Sequence, residues 1–123
     1  MTEIVIKRVY SGPVADDGFR VLVDRLWPRG LAKATAALAR WDKDVAPSSE
    51  LRIWFSHRSD RFEEFTGRYQ DELDDSGACA ALVDAAGVAE RITLLYAARD
   101  PEVNHARVLR DYLSAPRDDL TAR

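Results

Sequence analysis

The sequence predicts an α/β fold: a single layered domain with a small, mainly parallel sheet flanked by helices. Three observations carry that prediction. Apolar runs at 19–24 and 91–98 lack clean in-and-out alternation, which is how a strand covered on both faces of a parallel sheet reads. Stretches of helical period, with Phe62, Phe65, Tyr69 and Leu73 in one and Val103, Ala106, Leu109 and Leu113 in another, follow strand-like ones. Each apolar run also stops abruptly at charge or turn chemistry, Asp24 in the first and Arg99-Asp100-Pro101 in the second, so strand, turn and helix succeed one another.

Taken in order, residues 3–10 alternate partly, with Ile4, Ile6 and Val9 against Glu3, Lys7 and Arg8, and read as a first strand. Ser11-Gly12-Pro13 and Asp16-Asp17-Gly18 are turn residues on either side of a short loop into the second strand, Phe19–Asp24. Leu26-Trp27-Pro28-Arg29-Gly30 is irregular, since proline pushes its predecessor out of the helical region and glycine supplies turn freedom. A short Ala-rich helix is expected from about Lys33 to Ala39. Residues 41–47 read equally as a third strand or an extended loop, stopped by Pro47.

Ser48 or Ser49 is a plausible N-cap for a helix through Leu51, Trp54 and Phe55, with Glu50 where the helix dipole favours an anion. Asp60-Arg61-Phe62-Glu63 resembles a capping box with Asp60 as cap, opening the long helix. Gly77 separates it from a second Ala-rich helix over about 78–86, which Gly87 ends. Arg91–Ala98 is the strongest strand and is expected to be central. Asp100 as N-cap and Pro101 as first helical residue would then open the last helix, through Leu113.

With 123 residues the chain fits one domain, expected over 1–114, with a flexible polar tail at 115–123. Hydrophobic residues make up 46% and charged residues 32%, and nothing approaches the roughly 18 consecutive apolar residues of a membrane span. The strand-like pattern begins almost at once, without a signal-peptide pattern, so the expected location is the cytoplasm. The single cysteine, Cys79, excludes an internal disulfide and a multi-cysteine metal site. Net charge is −3, but residues 1–58 carry ten Lys/Arg against seven Asp/Glu and residues 59–123 carry eight against fourteen. This argues against a nucleic-acid coat and leaves room for a local basic site in the first half.

In open α/β sheets ligands bind beyond the carboxyl ends of the strands. Strand two ends at Asp24-Arg25, with Arg29 close behind, and the central strand ends at Arg99-Asp100. If these strands are parallel neighbours, Arg25, Arg29 and Arg99 converge near the start of the last helix, a combination suited to phosphate or carboxylate. The competing reading pairs those arginines with Asp24, Asp44 or Asp100 to fasten loops. Arg52, His57, Asn104 and Trp27 complete the candidate binding set. Should the domain be an enzyme, Asp24, following three apolar residues, or His105, bordering the last helix's apolar stripe, is the acid/base candidate. Trp27, Trp41 and Trp54 lie in the basic half, where aromatics can stack on bases but equally form core edges. No metal-ligand spacing, dinucleotide fingerprint, P-loop or nucleophile elbow is present, so neither a metal nor a cofactor is expected.

The runs R-V-L-V-D-R-L-W-P-R-G at 20–30, W-D-K-D-V-A-P-S at 41–48, E-L-R-I-W-F-S-H at 50–57, F-E-E-F-T-G-R-Y at 62–69 and T-L-L-Y-A-A-R-D at 93–100, followed by N-H-A at 104–106, resemble the bacterial family known as domain of unknown function 488, in its YeaO-like branch. The resemblance runs from about residue 4 to residue 113. It implies a small intracellular protein and brings no catalytic mechanism with it. Some relatives in the wider family carry Cys-His-Arg near the last helix, where this chain has Asn104-His105-Ala106, so chemistry relying on that cysteine is absent or different here.

The functional expectation is a domain that binds an anionic small molecule, a nucleotide being one candidate, at the ends of its strands. The alternative is a non-catalytic interaction or self-associating domain using a Trp/Arg surface, which would make a homo-oligomer. Neither membrane nor nucleic acid is an expected partner.

Overall fold

Four parallel strands run side by side in the order β1-β4-β2-β3 in the computed structural model, which describes residues 2–115. All but the first residue of the expected tail at 115–123 lies outside that range. Strand β1 is Glu3–Arg8, β2 is Phe19–Leu22, β3 is Arg40–Trp41 and β4 is Arg91–Tyr96. The expected central strand is central: β4 pairs with β1 on one side, Ile6 opposite Leu94, and with β2 on the other, Val21 opposite Leu94. The third strand is only the two-residue bridge Arg40–Trp41, and Lys43–Val45 turns as a short 3₁₀ helix, so the ambiguous stretch is mostly turn.

Both faces of the sheet are covered, as the unalternating apolar runs require. On one face Val21, Val23, Ile92, Leu94 and Tyr96 pack against helices α2 (Ser49–Phe55), α3 (Phe62–Ser76), α4 (Ala78–Ala86) and α5 (His105–Ser114). On the other, Val9, Leu22 and Leu95 lie beneath Trp27, Leu31, Leu38 and Trp41, in the segment that carries helix α1 (Lys33–Ala36). The chain crosses tightly at Gly18, whose φ is +65°; a Cβ there would meet the Arg91 carbonyl oxygen at 2.5 Å.

Local chemistry fixes the helix that faces the future site. Ser48 caps α2: its Oγ accepts from the Leu51 amide at 3.1 Å and donates to Glu72 on α3 at 2.6 Å. In α3 the 3.6-residue period buries Phe65, Tyr69 and Leu73. Tyr69 donates its hydroxyl to the Val45 carbonyl, and burial holds the phenol well above its ordinary pKa, so it remains a neutral donor.

Two expected caps are corrected. Asp60 does not cap α3: the guanidinium of Arg58 donates to both of its oxygens, at 3.1 and 2.9 Å, and the helix begins at Phe62 after a 3₁₀ turn. Nor does Asp100 cap α5. Its Oδ1 accepts from the amides of Glu102 and Val103 at 2.8 and 3.1 Å, which makes a local turn, and the helix starts five residues later, at His105. There Asn104 is the cap, accepting from the Arg107 amide at 2.8 Å.

Candidate functional site

Beyond the carboxyl ends of β1, β2 and β4, a cleft of about 920 Å³ opens, walled on its other side by α2, α3 and the start of α5. The condition set by the sequence is met, since β2 and β4 are parallel neighbours. The cleft brings together all nine candidate residues: Asp24, Arg25, Trp27, Arg29, Arg52, His57, Arg99, Asn104 and His105.

At its floor Asp24 ties the strand ends together. Its Oδ2 accepts from the Ala97 amide at 3.1 Å, and its carbonyl accepts from the Trp41 indole at 2.8 Å. His105, the first residue of α5, sets Nε2 3.1 Å from the Val23 carbonyl and 3.0 Å from Asp24 Oδ1. A carbonyl only accepts, so Nε2 carries a proton. That one N–H faces two acceptors and aligns on the carbonyl, which leaves Asp24 Oδ1 shielded from solvent without a well-formed hydrogen bond.

The arginines divide sharply. Thirteen of the described residues are arginines. Seven of them form ion pairs with a carboxylate. Among the described residues, none of the five that line the cleft, Arg8, Arg25, Arg29, Arg52 and Arg99, has such a partner. The reading in which Asp24, Asp44 or Asp100 neutralises Arg25, Arg29 and Arg99 therefore fails within those residues. Two cleft arginines are held through the backbone: Arg25 Nε donates to Pro47 O at 3.0 Å, and Arg8 Nε donates to Ala98 O at 3.1 Å while its guanidinium lies 4.8 Å over the Tyr10 ring. Arg29, Arg52 and Arg99 are exposed. Among the described residues the lining carboxylates are Asp24 and Asp100, and the two amides bound by Asp100 hold it below the ordinary carboxylate range and ionised. Positive charge is in excess.

The remaining wall is aromatic. Phe55 and Phe65 stack at 4.1 Å between centroids, and the His57 ring stands 6.2 Å from Phe55. His57 lies two residues past the end of α2 with φ at +58°, in the left-handed region that a side-chain-bearing residue occupies at a cost. Trp27 packs edge-on against Trp41 at 5.2 Å and donates to Leu31 O. Asn104, fully buried, donates to Asp100 O at 2.7 Å as well as capping α5. Trp54 is half-buried, with the guanidinium groups of Arg61 and Arg68 at 5.1 and 4.5 Å from its ring, and does not line the cleft.

Sequence reasoning missed Arg8, Tyr10, Phe55 and Phe65 as lining residues. A signal for Arg8 existed, since it too ends an apolar strand, but using it requires knowing that β1 lies beside β4. Among the described residues no group of His, Cys, Asp and Glu could hold a metal ion, and no helix is long and apolar enough to cross a membrane. Cys79 is partly buried on α4, away from the cleft lining.

A family model described as "Inactive DUF488-N3 subclade" matches residues 3–121. An uncharacterized protein of Mycobacterium tuberculosis is 46% identical over 113 residues, which is 92% of this chain and 95% of that one. The uncharacterized protein YeaO of Escherichia coli is 41% identical over 110 residues, 89% of this chain and 96% of its own. No solved structure matches the chain.

Proposed function

The chain belongs to the DUF488 family, with YeaO among its relatives, and from that premise we propose that it is a binding domain whose cleft takes an anionic small molecule at the strand ends. The observation that carries this reading is the set of cleft arginines without carboxylate partners among the described residues, in a chain whose other arginines are mostly ion-paired. Leaving several guanidinium groups unmatched around one concavity raises the energy of the empty protein through mutual repulsion, and an anion relieves it. Arg25 is pre-oriented by its bonds to the 46–47 loop, and Arg29, Arg52 and Arg99 reach in from exposed positions.

Two points favour binding without catalysis. The matched subclade is described as inactive. Asp24 and His105, the acid/base candidates, are engaged in holding β2, β4 and α5 together, and on this reading they position the cleft. The interaction-surface alternative draws less support, because the indole N–H groups of Trp27 and Trp41 both bond within the chain and the Trp54 ring is in contact with the chain's own Arg61 and Arg68.

The test is calorimetric titration with inorganic phosphate, small carboxylates and nucleotides at low salt. At least one of these should bind wild type, and Arg25→Ala/Arg99→Ala should lose most of that affinity, since a charge-assisted hydrogen bond contributes about 1.5–3 kcal/mol. Undiminished binding by the double variant would refute the assignment.

A further inference from the structure

Resting on that reading, we infer that the ligand carries several negative charges at one end and a planar ring at the other, the chemistry of a nucleoside di- or triphosphate. Size is the first argument. A cleft of about 920 Å³ lies in the range that encloses a drug-sized molecule, far more than an inorganic anion fills.

Charge is the second. Among the described residues five guanidinium groups face the carboxylates of Asp24 and Asp100, an excess of three positive charges counted with the histidines neutral. A monoanion leaves most of that excess unmatched, whereas a di- or triphosphate matches it. Guanidinium's planar fork is also the geometry that grips phosphate oxygens in pairs.

The third argument is that most of the cleft's positive charge lies at the strand ends, while the exposed His57 ring lies on the helix side. Arg8, Arg25, Arg29 and Arg99 sit where the strands stop, with the Tyr10 ring under Arg8, and Arg52 is the one cleft arginine among the described residues that comes from α2. The stacked pair Phe55 and Phe65 lies on the α2–α3 side, with the His57 ring exposed at its rim. His57 holds a left-handed backbone conformation that a side chain disfavours, and the result is an imidazole beside an aromatic floor, a stacking partner for a planar ring. The phosphates lie on the arginines and the ring on the exposed His57 imidazole, which stands beside the buried Phe55.

Titration calorimetry at constant ionic strength in EDTA separates the parts, with adenosine triphosphate, guanosine triphosphate, adenosine monophosphate, adenosine and inorganic tripolyphosphate as probes. A nucleoside triphosphate should bind about tenfold or more tighter than the monophosphate, and adenosine should not bind measurably, because the added charge-assisted contacts carry the difference. Tripolyphosphate should bind more weakly than either nucleoside triphosphate. His57→Ala should weaken nucleoside triphosphate binding severalfold and leave tripolyphosphate unchanged, whereas Arg99→Ala should weaken both. Equal affinity for monophosphate and triphosphate would overturn the polyanion assignment, and tripolyphosphate binding as tightly as the nucleotides, with no effect of His57→Ala, would overturn the ring assignment; in either case the anion-binding cleft stands. If none of the phosphates binds, the inference falls, and the carboxylate arm of the earlier titration then decides whether the cleft binds anions at all.

Discussion

Two groups of cations on the same sheet are treated in opposite ways. At the start of β2, Arg20 is buried with Asp17, whose carboxylate also accepts from Lys7 at 3.0 and 3.1 Å and from the Val14 amide at 3.0 Å. The rest of the Arg20 fork donates to the Ala36 and Ala37 carbonyls at the end of α1, and Thr93 donates to Asp17 O, so almost every polar group there has a partner. Past the ends of the strands the cleft arginines stand without such partners among the described residues. The difference teaches what each set is for. A charge satisfied inside the chain holds the fold, and a charge left unmatched around a concavity is available to a ligand, at some expense to the empty protein's stability.

The comparison breaks most visibly at Asp17. Asp17→Ala should destabilise by about 3–5 kcal/mol, because it leaves Arg20 and Lys7 facing a buried gap, and urea unfolding would read the loss. A shift below about 1 kcal/mol would mean the network does little for the fold. Acid should dissect the same site. Burial pushes the Asp17 carboxyl up, but the Val14 amide, Lys7 and Arg20 together outweigh it and hold the pKa below the ordinary value of 3.8. Its contribution is therefore complete above about pH 4 and is lost as pH falls through the lowered value. Unfolding midpoints between pH 5 and pH 2.5 should drop more steeply in wild type than in Asp17→Asn.

Asp24→Asn should cost about 1–3 kcal/mol, since an amide cannot face both the Ala97 amide and His105 Nε2–H as an acceptor. It sharpens the contrast by showing that the cleft floor is structural while its arginine rim is not. Arg99→Ala should change stability least, within about 0.5 kcal/mol, as expected of an exposed side chain without a partner among the described residues, and thermal melting would detect more.

Much of this was readable locally. Helix α4 occupies the expected residues because flanking glycines bound an Ala-rich run, and α2 starts where Ser48 supplies an oxygen. The caps at Asp60 and Asp100 were misread because a carboxylate near a helix start has competitors: Arg58 two residues before one, and the amides of Glu102 and Val103 two and three residues after the other. Strand β3, two residues long, has no period to detect. Asp24, Arg25, Trp27, Arg29 and Arg99 were legible as candidates because they lie at strand ends or in the loops just behind them, and Arg52, His57, Asn104 and His105 because they lie on or beside the helices that follow. Arg8 and the Phe55–Phe65 floor were not, since their arrival depends on strand order and helix packing, which no local spacing encodes.

The central claim is that the cleft arginines are unmatched for the sake of a ligand. One measurement tests it directly: thermal unfolding of wild type and Arg99→Ala, each with and without millimolar nucleoside triphosphate. Ligand at about a hundred times its Kd contributes about 2.7 kcal/mol. The account predicts a rise of several degrees for wild type, a clearly smaller rise for Arg99→Ala, and, without ligand, a midpoint for Arg99→Ala equal to or slightly above that of wild type. A lower midpoint for Arg99→Ala without ligand, together with no rise for wild type, would contradict it.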